Sequence, residues 1–279
     1  MRTNVFKSIV CGLMSIVLLS GCSPSYPKNQ LPMALAKMIK KEYNLDSRVV
    51  LRGNTLYLDL YLSGIASTDP RMLNEILKKI QGAMLSITRV SLSSDAKIEY
   101  MVVNARDAAW SLNIRLIQRL EDVKGLLYQR ISKSDYEGRL VLEIDILNKT
   151  PNGPSTLQSL VGDIKYNLTV EEFAGRLMVS QVNMASRTNP FLSVLLNNVQ
   201  LRYERWTPDQ LFVTATGALS DSSFFLFQNI IKTESQKVMS KYKTWQPRMM
   251  VISMPDNRVM TVDIQPVNKL LFKVTTNGR

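Results

Sequence analysis

Histidine is absent from this chain, and cysteine occurs only twice, at Cys11 and Cys22. Without an imidazole the sequence lacks the commonest general base, the usual activator of a serine nucleophile and the commonest metal ligand. The GxSxG elbow, the phosphate-cradling GxxxxGK and GxGxxG loops and the DxDxDG calcium loop are missing too. Ser94-x-x-Lys97 and Ser240-x-x-Lys243 satisfy SxxK, but no SDN or KTG companion accompanies them, so both read as surface coincidence. No apolar run in the chain reaches the length of about 20 residues that a membrane-spanning helix needs.

What is present begins at the N-terminus. Arg2 and Lys7 precede an apolar stretch from Ile9 to Leu19, and Leu19-Ser20-Gly21-Cys22 follows. A basic segment, a short apolar segment and small residues before a cut are the layout of a secretory signal. The small-small-Cys ending resembles the lipobox of bacterial lipoproteins. That resemblance implies cleavage between Gly21 and Cys22, and acylation of Cys22, which becomes the first residue of the mature protein. Ser23, in place of an aspartate, implies the outer membrane facing the periplasm rather than retention at the inner membrane. Cys11 would leave with the signal, so the mature chain would hold no free thiol, which excludes a thiol nucleophile, a disulfide framework and a cysteine metal site. Removing Arg2 and Lys7 from 35 basic residues leaves 33 against 23 acids, a formal +10 on the mature chain. A basic exterior suits anionic headgroups, cell-wall polymer or an acidic partner. Nucleic acid is not an expected partner, because the basic residues are scattered and the chain is exported.

Along the chain, residues 22–30 read as a polar, proline-containing tether. Leu31, Leu35, Met38 and Ile39 then make the stripe of a helix from Pro32 to Tyr43. Lys37, Lys40 and Lys41 lie off that stripe, which makes them candidates for contact with a membrane surface. Alternation of apolar residues around Gly53-Asn54 predicts a hairpin, and Asp69-Pro70 opens a long amphipathic helix. Two more alternating runs follow, separated by a turn near Asn104–Ala109, and then a short helix over Glu121–Leu127. The same grammar returns from Val199, with a helix after Ser220-Asp221-Ser222 carrying Phe224-Phe225-Leu226-Phe227, strands around Pro255–Arg258, and Val267–Leu271 matching Val123–Leu127. Between the halves, Ile131–Leu140 echoes Leu168–Leu177, each a helix start followed by a Gly-Arg pair.

The expectation is therefore an α+β protein of two similar strand-strand-helix-strand-strand units, with antiparallel sheets that each have one helix-covered face, and a helical bridge between them. The boundaries are 1–21 for the signal peptide, 22–30 for the tether, 31–147 for the first unit, 148–155 for a linker, and 156–279 for the bridge and second unit. Five carboxylates could in principle pair for acid–base work: Asp59, Glu99, Asp107, Glu143 and Asp145. Asp59 and Glu99 are expected to face solvent, and Glu143 and Asp145 to end a helix. The expected function is non-catalytic: a lipid-anchored envelope protein with an interaction or assembly role, meeting the membrane through its N-terminal lipid and an envelope protein as partner. No metal or cofactor is expected. The alternative is a carrier of lipid or another apolar ligand, for which the methionines and the aromatics of Phe224–Phe227 would line a cavity.

Overall fold

The computed structural model describes residues 26–65, 70–107, 112–146, 167–188, 199–217, 221–243 and 245–265. Cys22, the 148–155 linker and the Val267–Leu271 match lie outside these residues.

The first part of the chain runs α1 (Leu31–Tyr43), β1 (Ser47–Arg52), β2 (Thr55–Leu62), α2 (Pro70–Leu92), β3 (Tyr100–Asp107), β4 (Leu112–Arg119), α3 (Leu120–Leu127), α4 (Lys133–Glu137) and β5 (Val141–Ile146). The second runs α5 (Val170–Thr188), β6 (Gln200–Trp206), β7 (Gln210–Thr216), α6 (Asp221–Lys241), β8 (Met249–Ser253) and β9 (Val259–Asp263). The α+β class holds, and the strand-strand-helix-strand-strand arrangement is repeated. A helix also precedes each repeat, so α1 and α5 occupy equivalent places.

The two sheets have the orders β1-β2-β3-β4-β5 and β6-β7-β8-β9. One expectation needs changing: neither sheet is purely antiparallel. β2 pairs parallel with β3, and β7 with β8. In each repeat the intervening helix returns the chain to the same end of the sheet, and such a crossover makes a parallel pair.

Local signals explain the elements. Pro32 sits in the first turn of α1, where its missing N–H has no partner to lose, and Asn44 ends the helix in the left-handed conformation. Gly53, at φ 55°, turns β1 into β2 so that Arg52 faces Thr55. β3 continues through the turn expected near Asn104, because Asn104 and Arg106 find buried polar partners across the sheet. Val141–Ile146 is a strand, not a helix end. Its acids and aliphatics alternate with period two, and it adds to the edge beside β4.

Packing is in four layers. On one face of the five-stranded sheet, Leu56, Leu58, Leu60, Met101 and Val103 meet Leu35 and Ile39 of α1 and Ile87 and Val90 of α2. On the other face, Tyr57, Tyr100, Val102 and Val141 meet Phe173 and Leu177 of α5. That cluster continues without a break through α6 to Leu211, Val213, Met250 and Ile252 of the second sheet. The first sheet is thus covered on both faces, contrary to the one-covered-face expectation, which is why β2 and β3 read as continuous buried runs. The second sheet keeps the simple alternation, with buried residues at every other position of β7 and β8.

Residues 26–30 do not form a free tether. Tyr26 makes a bridge with Ser94, its N–H donates to the Ser93 carbonyl at 3.3 Å, and the Lys28 N–H donates to Asp95 Oδ1 at 2.6 Å.

Candidate functional site

The register of the first sheet lays its α5-facing side chains in rows. One row is apolar: Val50, Tyr57, Val102, Ile117 and Val141. Two residues further along each strand the row becomes Arg48, Asp59, Asn104, Arg115 and Glu143. A polar row inside a covered sheet face is tolerable only if its groups satisfy one another.

From Asp59 to Glu143 one chain of hydrogen bonds does most of this; Arg48 at the row's end is exposed, and the Nε and Nη1 of Arg106 stay without a hydrogen-bond partner among the described residues. Asp59 Oδ1 accepts from Asn104 Nδ2 at 2.7 Å and from Arg106 Nη2 at 3.0 Å. Asn104 Oδ1 accepts from Arg115 Nε at 3.0 Å, and Arg115 Nη1 donates to Glu143 Oε2 at 2.8 Å. Arg176 of α5 donates from Nη1 to Glu143 Oε1 at 2.7 Å, while its Nε binds Glu172 one helical turn earlier at 3.0 Å. Burial alone would raise the pKa of Glu143. The Arg176 and Arg115 guanidiniums outweigh it and hold the carboxyl below the usual carboxylate range. Such an acid stays ionised at neutral pH, where it is an acceptor and not a proton donor.

Arg176 has a counterpart. The Arg139 guanidinium binds Asp135 one turn earlier at 2.8 Å, binds a second carboxylate, Asp122, at 2.9 Å, and lies over the Tyr242 ring. Arg176 likewise binds Glu172 and Glu143 and lies 4.7 Å from the Tyr203 ring centroid. Both helix starts are capped as the sequence reads, Ser132 Oγ accepting from the Asp135 N–H and Thr169 Oγ1 from the Glu172 N–H. Each Gly-Arg pair therefore clamps its helix to two further elements: Arg139 to α3 and α6, Arg176 to β5 and β6.

The Arg176 clamp floors an open cleft of about 410 Å³ between β5, α5 and β6. Its walls are the outer edges of the two sheets. Both Glu143 and Tyr203 lie on Arg176, and Gln200 Nε2 of β6 donates to the Ile144 carbonyl of β5 at 3.1 Å. Polar side chains of α5 stand in for a missing strand. Ser180 Oγ accepts from the Leu142 N–H and donates to its carbonyl. Asn183 does the same for Leu201, both bonds at 2.8 Å. Tyr203, Glu204, Arg205 and Trp206 make the far rim, where a bulge shifts the register of β6 against β7.

The sequence-nominated residues scatter. Asp59 is buried, against the expectation that it faces solvent, because Arg106 and Asn104 compensate its charge. Asp107, also buried, accepts the Gly64 and Ile65 N–H groups at 2.7 and 2.8 Å. Glu99 is exposed and accepts from Asn54 Nδ2, and Asp145 pairs in register with Asn113. Among the four of these whose side chains are described, Glu143 lines the cleft. Lys37, Lys40 and Lys41 are exposed on α1, with Lys40 paired to Asp46 at 2.8 Å. Ser94 lies in the Tyr26 bridge, and Ser240 bonds the Lys237 carbonyl in the last turn of α6. In the Phe224–Phe227 run, Phe227 is buried and Phe225 exposed. Arg115, Arg176, Ser180 and Asn183 were not nominated. Only Arg176 carried a signal, the repeated Gly-Arg after a capping box.

No family model, no curated protein and no solved structure matches this chain.

Proposed function

We propose that this protein is a non-catalytic, lipid-anchored component of the cell envelope, facing the periplasm from the outer membrane, that holds a partner protein in the cleft between β5, α5 and β6. The observation that carries this reading is the cleft itself. Its floor is a charge network in which Glu143 is gripped from both sides, and its walls are two strand edges. Fixed, paired charges recognise and orient a polar partner. The main-chain groups of Leu142 and Leu201 are already held by Ser180 and Asn183, so a partner is recognised by the charged and polar side chains of the floor and rim. A carrier of apolar ligand needs an apolar enclosure, and this cleft is lined with arginines and glutamates. Among the described residues no helix is long and apolar enough to cross a membrane; in this reading the attachment is the acyl group on Cys22.

The test is photo-crosslinking in intact cells, with a photoreactive amino acid at Glu204 on the cleft rim and, as control, at exposed Lys133 on α4. A discrete envelope-protein adduct from position 204 alone is the expected result. Equal adducts from both positions, or lipid adducts only, would overturn the cleft as a protein-binding site, and the second would favour the carrier.

A further inference from the structure

Resting on the anchor reading above, we infer that the molecule stands upright on the bilayer, with the end at which β2 and β3 begin set against the lipid headgroups. The argument starts from the chain between anchor and fold. Three residues, Ser23, Pro24 and Ser25, separate Cys22 from Tyr26. From Cys22 to Tyr26 the chain spans at most about 13 Å even when fully extended. Tyr26 is pinned to Ser93 and Ser94, and Lys28 to Asp95, just past the last turn of α2.

Every neighbouring element has a known polarity relative to that pin. α1 rises away from it, beginning at Leu31, and β1 returns to it, ending at Arg52. β2 and β3, parallel and in register from Thr55 and Tyr100, both leave from it. The Asn54 carbonyl accepts from the Glu99 and Tyr100 N–H groups, and Lys28, Asn29, Pro32, Leu51 and Asp95 line one recess. One end of the first sheet therefore gathers the start of α1, the β1–β2 turn and the end of α2 within reach of the anchor. At about 1.5 Å per residue, α1 carries Lys40 and Lys41 about 14–15 Å above Leu31. The basic residues facing the headgroups are then Lys28, Lys97 and Arg52, exposed at the same end as Asp95 and Glu99, and not Lys37, Lys40 and Lys41 of α1. Met33, 57% exposed, and Leu92, 38% exposed, add apolar surface at the same end.

The orientation also sets the height of the cleft. The Asp59–Glu143 row lies four residues beyond Thr55, about 13 Å up the sheet. A partner in the cleft is thereby met close to the membrane.

The mature chain has no thiol other than acylated Cys22, so single introduced cysteines can be labelled selectively. The full chain, expressed with its own signal and purified in detergent, is reconstituted into phosphatidylethanolamine–phosphatidylglycerol vesicles carrying a nitroxide-headgroup lipid. Fluorophores are placed at Asn29→Cys and Lys97→Cys on the proposed contact end, and at Lys41→Cys and Glu75→Cys on the opposite end. Co-flotation with vesicles is read first, then quenching. The expected result is co-flotation, with loss of most fluorescence at positions 29 and 97 and little at 41 and 75. Quenching at 41 or 75 equal to that at 29 and 97, or none at any position in a chain that co-floats, overturns the orientation and leaves the anchor standing. Failure to co-float overturns the anchor, and the orientation with it.

Discussion

At the scale of single residues, the charges inside this fold are organised by arginine. Arg115 and Arg176 grip Glu143 from two elements, and Arg106 answers Asp59 where both side chains are almost wholly buried. A guanidinium offers several donors in one plane, so one arginine can satisfy carboxylates on two elements at once. The depressed pKa of Glu143 makes this measurable. Its stabilising effect is complete above the ordinary glutamate value of about 4.3 and is lost as pH falls through the lower folded value. Glu143→Gln is expected to cost roughly 2–4 kcal/mol at neutral pH, because it leaves two guanidiniums without their shared anion. The variant should also lose less stability than the parent as pH falls below about 4.3, where the unfolded glutamate takes up its proton before the folded one. Melting temperature against pH, followed by circular dichroism, checks both, and parallel curves for the two proteins would contradict the role given to Glu143.

At the scale of elements, α5 does the joining. One side packs on the first sheet and the other on the second, and its polar residues close the facing edges of both. Exposed strand edges invite unwanted pairing, and side-chain amides and hydroxyls that copy strand hydrogen bonds are one way to blunt them. Asn183→Ala strands both the N–H and the carbonyl of Leu201, at a cost of about 1–3 kcal/mol. Denaturant unfolding should show that loss, with faster hydrogen exchange at the Leu201 amide. An unchanged midpoint and exchange rate would mean that water already replaces the asparagine. The hairpin of β1 and β2, the stripe of α1 and the two capped helix starts were all legible in the sequence, because each rests on local periodicity or on a cap three residues away. The identity of β5 was not. Its period-two alternation spans only six residues, and only the neighbouring β4 decides that it is a strand.

At the scale of the whole molecule, the two repeated arrangements share one apolar cluster. Phe173 is fully buried in this cluster, with Tyr100 of the first sheet and Tyr242, just past the end of α6, at ring-centroid distances of 5.5 and 5.6 Å. Two sheets joined by a continuous core should unfold together. Phe173→Ala is expected to cost about 3–5 kcal/mol. It should lower the protection of β3 and β7 amides in step, as read by native-state hydrogen exchange with calorimetry. Two separated transitions in the parent protein would show instead that each sheet is stable on its own.

Some of this was decided by the order of residues alone. The repeated strand-strand-helix-strand-strand pattern, the Gly-Arg echo and the lipobox-like ending are written in local spacing, and local spacing acts through the few residues on either side. What the tertiary structure decided is which charges meet. In the sequence Asp59 looks like a solvent-facing acid on a strand, and Glu143 like a solvated acid at a helix end. Asp59 is buried beside Asn104 and Arg106 of the neighbouring strand, and Glu143 is covered where α5, almost thirty residues further on, brings Arg176 onto it. The parallel pairing of β2 with β3, the cleft between two sheet edges and the pinning of Tyr26 to Ser94 have the same origin. Each depends on contacts between segments far apart in the chain, which no local pattern encodes.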